Sequence, residues 1–291
     1  MSAHSTPRRS CLSVPADDPR KVAKAASLAV DEIVLDLEDA VAAERKADAQ
    51  QALGTAFAGT VWRALSVAVR VNAPRTPWAH LDLMACARID VPLTTVVVPK
   101  VETAGDVAFV DRLLDGAERE AGRSEPIGIQ ALVETAEGLE RLPEIAAASP
   151  RLRTLILGYA DLAASLGRRS ADTDTWLPAQ EALLWAARRH GLQALDGPYL
   201  GLTADERFEA AVRRARDLGF DGKWAIHPCQ VPTVTAAFSP SAEEVAWARQ
   251  IIDALGRRKA GAVAVDGQMV DEAVVVRARR VLANARELST P

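Results

Sequence analysis

The sequence predicts an α/β protein, a (β/α)8 barrel of the TIM type with a small C-terminal helical appendage. Three observations carry this. Short apolar runs alternate with helix-like segments from the N-terminus onward; eight such pairs can be counted; and the apolar runs repeatedly end in a charged residue. Alternation implies a parallel sheet, eight is the strand number that closes the barrel, and in that fold the chemistry lies at the C-terminal strand ends. A chain of 291 residues is long enough for one such barrel with some extra.

Each element follows from its own signals. Residues 10–14 form a short apolar strand stopped by Pro15, and Asp17-Asp18-Pro19 supplies an acidic cap and a first-turn proline for the next helix. The second strand, 32–37, runs into Asp36-Leu37-Glu38-Asp39, followed by a helix over 43–57. Strand three, 66–71, ends in Arg70-Val71-Asn72, with a helix over 78–87. Strand four, 94–98, ends at Pro99-Lys100, with a helix over 104–121. Strand five, 127–133, ends at Glu134 and precedes a helix over 137–148. Strand six, 154–157, leads to Asp161; a polar loop at 168–174 and a helix over 175–190 follow. Strand seven, 192–195, ends in Asp196-Gly197-Pro198, and strand eight, 223–226, in His227-Pro228, with a helix over 204–218 between them. The barrel is thus expected over 1–238. Residues 239–291 form the appendage: a helix over 243–255, a strand-like pair around Val263 and Met269, and a helix over 272–287.

Composition excludes several classes. The chain is 49% hydrophobic and 25% charged, with a net charge of -4, so nothing draws it towards nucleic acid or anionic lipid. No apolar window is long enough for a membrane span, and the polar first residues show no secretory signal. Cys11, Cys86 and Cys229 are far apart and odd in number, which fits neither a disulfide framework nor a zinc site; a cytoplasmic location is expected.

The strand ends form a ring of acids: Asp36, Glu38, Asp39, Glu134, Asp161 and Asp196, with Arg70, Lys100 and His227 among them. Carboxylates held together resist joint ionisation unless cations intervene. Glu134 and Asp161 on neighbouring strand ends suggest an oxygen-ligand site for Mg2+, with Mn2+ as the alternative.

Eight stretches then carry a family resemblance. They are Arg9 to Pro15, Leu35 to Val41, Arg70-Val71-Asn72, Pro99 to Glu102, Ala131 to Thr135, Gly158 to Gly167, Asp221 to Pro228, and Asp266 to Asp271. In this order the chain resembles the HpcH/HpaI aldolase and citrate lyase β-subunit-like family, in its citramalyl-, malyl- and 3-hydroxy-3-methylglutaryl-CoA lyase branch. The resemblance implies a Mg2+-dependent carbon–carbon lyase that splits a short 3-hydroxyacyl-CoA into an acyl-CoA and a 2-oxoacid. It gives Glu134 and Asp161 as metal ligands, Glu134 also facing the substrate. Arg70 becomes the cation at thioester and carbonyl, and Asp271 an acid/base working in a neighbouring subunit. Asp36, Glu38 and Asp39 would support metal waters or Arg70, and Arg9 and Lys24 fall near positions that meet coenzyme A phosphates. A homotrimer, or a hexamer built as a dimer of trimers, is implied.

Plainer readings stand beside these. Arg70 could pair with Asp36 or Glu38, and Asp271 could cap the last helix, a role compatible with catalysis. His227 reads as a structural histidine, residues 176–185 as barrel-covering core, and Arg257-Arg258-Lys259 as a solvated turn or a phosphate contact. Two departures bear on the acyl carrier and substrate: Ala16 stands where the family commonly has glycine, and Leu200-Gly201-Leu202 lacks an aspartate often found there. A citrate lyase β subunit acting on an acyl carrier protein, and a non-catalytic binder of coenzyme esters, are the alternatives.

Overall fold

The computed structural model describes residues 6–89, 93–170, 175–256, 263–265 and 268–285. Eight parallel strands close a barrel in sequence order: β1 (Ser10–Pro15), β2 (Glu32–Asp36), β3 (Ser66–Arg70), β4 (Leu93–Val98), β5 (Gly128–Val133), β6 (Leu152–Leu157), β7 (Gln193–Asp196) and β8 (Gly222–Ala225). The helices are α1 (Pro19–Ala26), α2 (Lys46–Ala58), α3 (Ala79–Ala87), α4 (Ala104–Ala121), α5 (Ala136–Glu140), α6 (Leu142–Ala146), α7 (Tyr159–Ser165), α8 (Leu177–Arg189), α9 (Glu206–Leu218) and α10 (Val231–Phe238). Capping places many of them. Asp18 accepts from the Arg20 and Lys21 backbones at the start of α1, and Thr103 with Asp106 forms a capping box for α4.

Two helical expectations need correction. The segment 137–148 is two short helices, because Pro143 at the start of α6 cannot continue α5. An unpredicted helix, α7, starts directly after β6, so Asp161 lies in a helix's first turn rather than at a strand end.

Strand alternation sorts the barrel interior into layers. The middle layer is apolar: Cys11, Val34, Ala68, Val97, Leu132, Ile156, Leu195 and Trp224 form one buried cluster. Two residues earlier along the strands lies a polar floor. There Arg8 Nε donates to Glu32 Oε1 (2.8 Å), Gln130 Nε2 donates to Glu32 Oε2 (2.8 Å), and Arg8 Nη1 donates to Gln193 Oε1 (2.6 Å). Two residues later lies the charged rim described below. The β1–β8 seam closes tightly at Gly222, where a Cβ would come within 1.9 Å of the Arg8 carbonyl oxygen.

The appendage comprises α11 (Ala242–Gly256), the antiparallel pair β9 (Val263–Val265) and β10 (Gln268–Val270), and α12 (Glu272–Asn284). Ala248, Ile251, Val270, Val275 and Ala278 give it a small core of its own. It docks on the amino-terminal end of the barrel: Arg9 donates to the Asn284 carbonyl (3.3 Å), and Arg280 lies 3.8 Å from Asp221. The basic turn 257–259 and Asp266-Gly267 lie outside the described residues.

Candidate active site

The site grows from the ends of β2 to β6. Asp36, last in β2 and 1% exposed, accepts from the Glu38 backbone (2.8 Å), which folds the chain back over the rim. On its other side it grips Arg70, last in β3, through Nε (2.8 Å) and Nη2 (2.5 Å). A bidentate pair fixes the plane of the guanidinium as well as its position. Arg70 Nη1 also lies 3.0 Å from Glu38 Oε2, and its guanidinium carbon lies over the Trp224 ring, 5.9 Å from the ring centre. Burial disfavours the Arg70 charge, but Asp36, then Glu38 and Glu134, outweigh it and raise its pKa.

Lys100 follows β4 with a φ of 51°, left-handed backbone that is costly for a residue with a Cβ. That geometry aims its N–H at Glu134 Oε1 (3.0 Å). Its ammonium contacts Glu38 Oε1 and lies 3.5 Å from Asp161 Oδ1 and 3.8 Å from Asp39 Oδ1. Glu134 follows β5 and is buried. Burial, then Glu38 and Asp161, push its pKa up to about 8. Gly158 lies against it, and a Cβ there would be 2.5 Å from Glu134 Oε2. Glu38 is raised as well, by burial first, with Arg70 and Lys100 pulling it down.

Glu134, Asp161, Asp39 and Arg70 line one cavity of about 130 Å³, with Leu132, Pro198 and Trp224 as apolar walls. Around it five carboxylates (Asp36, Glu38, Asp39, Glu134, Asp161) meet two cations (Arg70, Lys100). The excess of negative charge and the raised Glu134 suit a hard cation. Among the described residues no three or more His, Cys, Asp or Glu are placed to hold one metal ion by themselves. Two carboxylates completed by water and substrate oxygens are a normal Mg2+ set, so Glu134 and Asp161 fit.

Other expected residues lie elsewhere. Arg9 must be corrected: it precedes β1, so it sits at the opposite end of the barrel, 5% exposed. There it is held by Asp31 through Nε (2.8 Å) and Nη2 (2.9 Å), and it cannot meet a coenzyme at the rim. Lys24 is at the rim, where it and Lys21 flank a cleft of about 320 Å³ between α1, the end of β1 and His227-Pro228. The acids near Ala16 are used locally: Asp18 caps α1, and Asp17 lies 3.2 Å from Arg45. Asp271 caps α12, accepting from the Val274 backbone (3.0 Å), and is exposed; the structure does not bring it to the site of its own chain. His227 caps the turn that follows it, accepting from Cys229 N (3.3 Å). Trp176 is core as expected, but Trp185 is 70% exposed. Lys100 as the bridge between Glu38 and Asp161, and Gly158 as the clearance for Glu134, were not foreseen.

Comparison with known proteins decides the family. Residues 9–228 match HpcH/HpaI aldolase/citrate lyase. The chain belongs to that family. An L-malyl-CoA/beta-methylmalyl-CoA lyase of Cereibacter sphaeroides is 37% identical, over 97% of this chain and 96% of that protein. A (3S)-malyl-CoA thioesterase of the same species is 36% identical, over 99% of this chain and 98% of its own length. The crystal structure of CitE from Mycobacterium tuberculosis with magnesium, acetoacetate and coenzyme A superposes with a TM-score of 0.72 at 36% identity, covering 97% of this chain and 99% of that one.

Proposed function

We propose that the chain is a Mg2+-dependent carbon–carbon lyase that cleaves, or in reverse forms, a short 3-hydroxyacyl-CoA such as malyl-, citramalyl- or hydroxymethylglutaryl-CoA. The observation that carries this reading is the rim cavity, where carboxylates outnumber cations beside a guanidinium fixed by Asp36. Glu134 and Asp161 hold the metal. Bound there, Mg2+ would supply Lewis-acid chemistry to the 2-oxoacid half of the substrate. Arg70 faces the thioester and stabilises the enolate charge that develops when the carbon–carbon bond breaks. Asp36 and Glu38 keep Arg70 aimed, so no reorganisation is needed as the charge appears. The hydroxyl proton is lost as the carbonyl forms, and the thioester α-carbon gains one. The hydroxyl proton passes to solvent, and Asp271 of a second copy gives the α-carbon its proton in cleavage and removes it in the reverse direction. The exposure of Asp271 and the docking of α12 on the far end of its own barrel support a donor from another subunit, in a homotrimer or a hexamer built as a dimer of trimers. Lys24, with Lys21, meets the coenzyme phosphates along the cleft at α1. Among the described residues no helix is long and apolar enough to cross a membrane, and the absence of a disulfide pattern favours the cytoplasm.

The test incubates the protein with each of the three thioesters, with Mg2+ and with chelator. Mg2+-dependent release of an acyl-CoA and a carbonyl acid is expected, and no turnover of any of them by folded protein overturns the reading. The thioesterase relative favours a second outcome, free coenzyme A plus the intact hydroxyacid, which the same product analysis separates.

A further inference from the structure

At the start of α7, the helix whose first turn carries Asp161, lies a polar network that the chemistry above does not use. Lys223 of β8, Asp196 of β7, Tyr159 of α7 and Gln180 of α8 are each at most 1% exposed. Lys223 Nζ contacts Asp196 Oδ2 and donates to the Gly197 carbonyl at 2.7 Å. The Tyr159 hydroxyl donates to Asp196 Oδ1 and accepts from Gln180 Nε2 at 2.7 Å. Both carboxylate oxygens of Asp196 are therefore taken, one by an ammonium and one by a phenol. Each group's orientation is fixed by the others.

The network ties together the elements that frame the cavity. Tyr159 opens α7, the helix whose first turn carries Asp161. Gly197 precedes Pro198, a cavity wall. The junction has no slack: a Cβ on Gly197 would lie 1.9 Å from the Leu157 carbonyl oxygen and 3.1 Å from Tyr159 Cδ2. Gly158, between β6 and Tyr159, is in turn pressed on Glu134. A shift at the start of α7 would therefore move Asp161 and change the clearance of Glu134 together.

Stability alone does not explain such a device. A buried ion pair costs desolvation that its attraction barely repays, and apolar residues of similar volume often do as well. A phenylalanine at 159 packed on Trp176, whose ring centroid is 6.0 Å away, would seat α7 without any charge. What the polar network adds is direction.

We infer that Lys223, Asp196 and Tyr159 are positioning residues that set the place of Asp161 through the start of α7, and so set the affinity of the site for its divalent cation. This rests on the reading that Asp161 is a metal ligand. Outer-sphere partners of metal ligands are commonly worth roughly 10–100-fold in affinity.

The test is calorimetric titration with Mg2+, and with Mn2+, in the absence of substrate. Tyr159→Phe removes one hydroxyl and keeps the ion pair; Lys223→Met with Asp196→Leu removes the pair as a unit, so no lone charge is left buried. Expected are an unchanged far-UV spectrum and cation affinity about tenfold weaker in the first variant, weaker still in the second. In an Asp161→Asn background Tyr159→Phe should cause no further loss, because the network acts through that carboxylate. If Asp161→Asn weakens cation binding while folded Tyr159→Phe binds within twofold of wild type, the positioning role is overturned and the metal assignment stands. If Asp161→Asn leaves cation affinity unchanged, both fall. A loss of thermal stability with unchanged cation affinity in both network variants would show a purely structural role and also overturn the inference.

Discussion

The two ends of the barrel make an instructive pair. Both are lined by charged side chains that the strand period turns inward, and both contain an arginine gripped by a buried acid. At the amino-terminal end the charges balance: Arg8 and Glu32 pair at 2.8 Å, and Gln130, Ser66 and Gln193 take up further positions around them. At the carboxyl-terminal end they do not. Asp36 satisfies Arg70, and Glu38, Asp39, Glu134 and Asp161 are left to share Lys100 and what remains of Arg70. The consequence is visible in Glu134, which burial and its acidic neighbours push up to about 8. One end is a balanced plug; the other stores an unmet demand for positive charge, and that is where a cation and an anionic substrate have reason to bind. Polar residues inside a barrel do not of themselves mark a site, but uncompensated ones do.

Substitutions at the rim should have the largest effects on activity. Glu134→Gln and Asp161→Asn remove the excess acids, and steady-state assays should show kcat/KM reduced by about 10³-fold or more, roughly 4 kcal/mol of transition-state stabilisation, with far-UV circular dichroism unchanged. Retained activity would mean the imbalance serves no cation. Arg70→Lys keeps a charge but loses the two-point grip on Asp36, and kcat should fall about 100-fold. At the floor the outcome inverts. Arg8→Met leaves the fully buried Glu32 without its cation, so chemical denaturation should show a loss of about 3–5 kcal/mol, whereas Mg2+ affinity of the folded fraction stays that of wild type. A large shift in Mg2+ affinity there would erase the distinction between the two ends. The smallest effect concerns Lys100. Its ammonium lies between Glu38 and Asp161, so Lys100→Met should tighten Mg2+ binding by up to about tenfold, since a like charge a few ångströms away is removed from the metal's position.

The barrel was legible because eight buried strands leave eight apolar runs, each bounded by turn chemistry, and parallel strands read that way whatever surrounds them. The acids at the ends of β2 and β5, and Arg70, were legible for the same reason: a charge that ends an apolar run needs an explanation. α7 was not legible, because its seven residues follow β6 with only Gly158 between, too short for a helical period to register. The left-handed backbone of Lys100 leaves no trace in residue type, since glycine or asparagine would be the usual signal there. The buried quartet at the start of α7 draws one residue from each of four elements, so no local pattern could assemble it. Arg9 is different, because the barrel reading itself contained the correction. A residue preceding a parallel strand lies at the amino-terminal end, and a coenzyme entering at the carboxyl-terminal rim cannot reach it. Lys21 and Lys24, one helical turn apart on α1, share a cleft at the carboxyl-terminal end.

The most direct test of the charge imbalance is a Mg2+ titration, followed by calorimetry, of wild type, Arg8→Met and Glu134→Gln without substrate. One Mg2+ per chain in the first two, and binding abolished or weakened at least 100-fold in Glu134→Gln, is the predicted result. Equal binding by Glu134→Gln and wild type, or no binding by folded wild type at millimolar Mg2+, would contradict it.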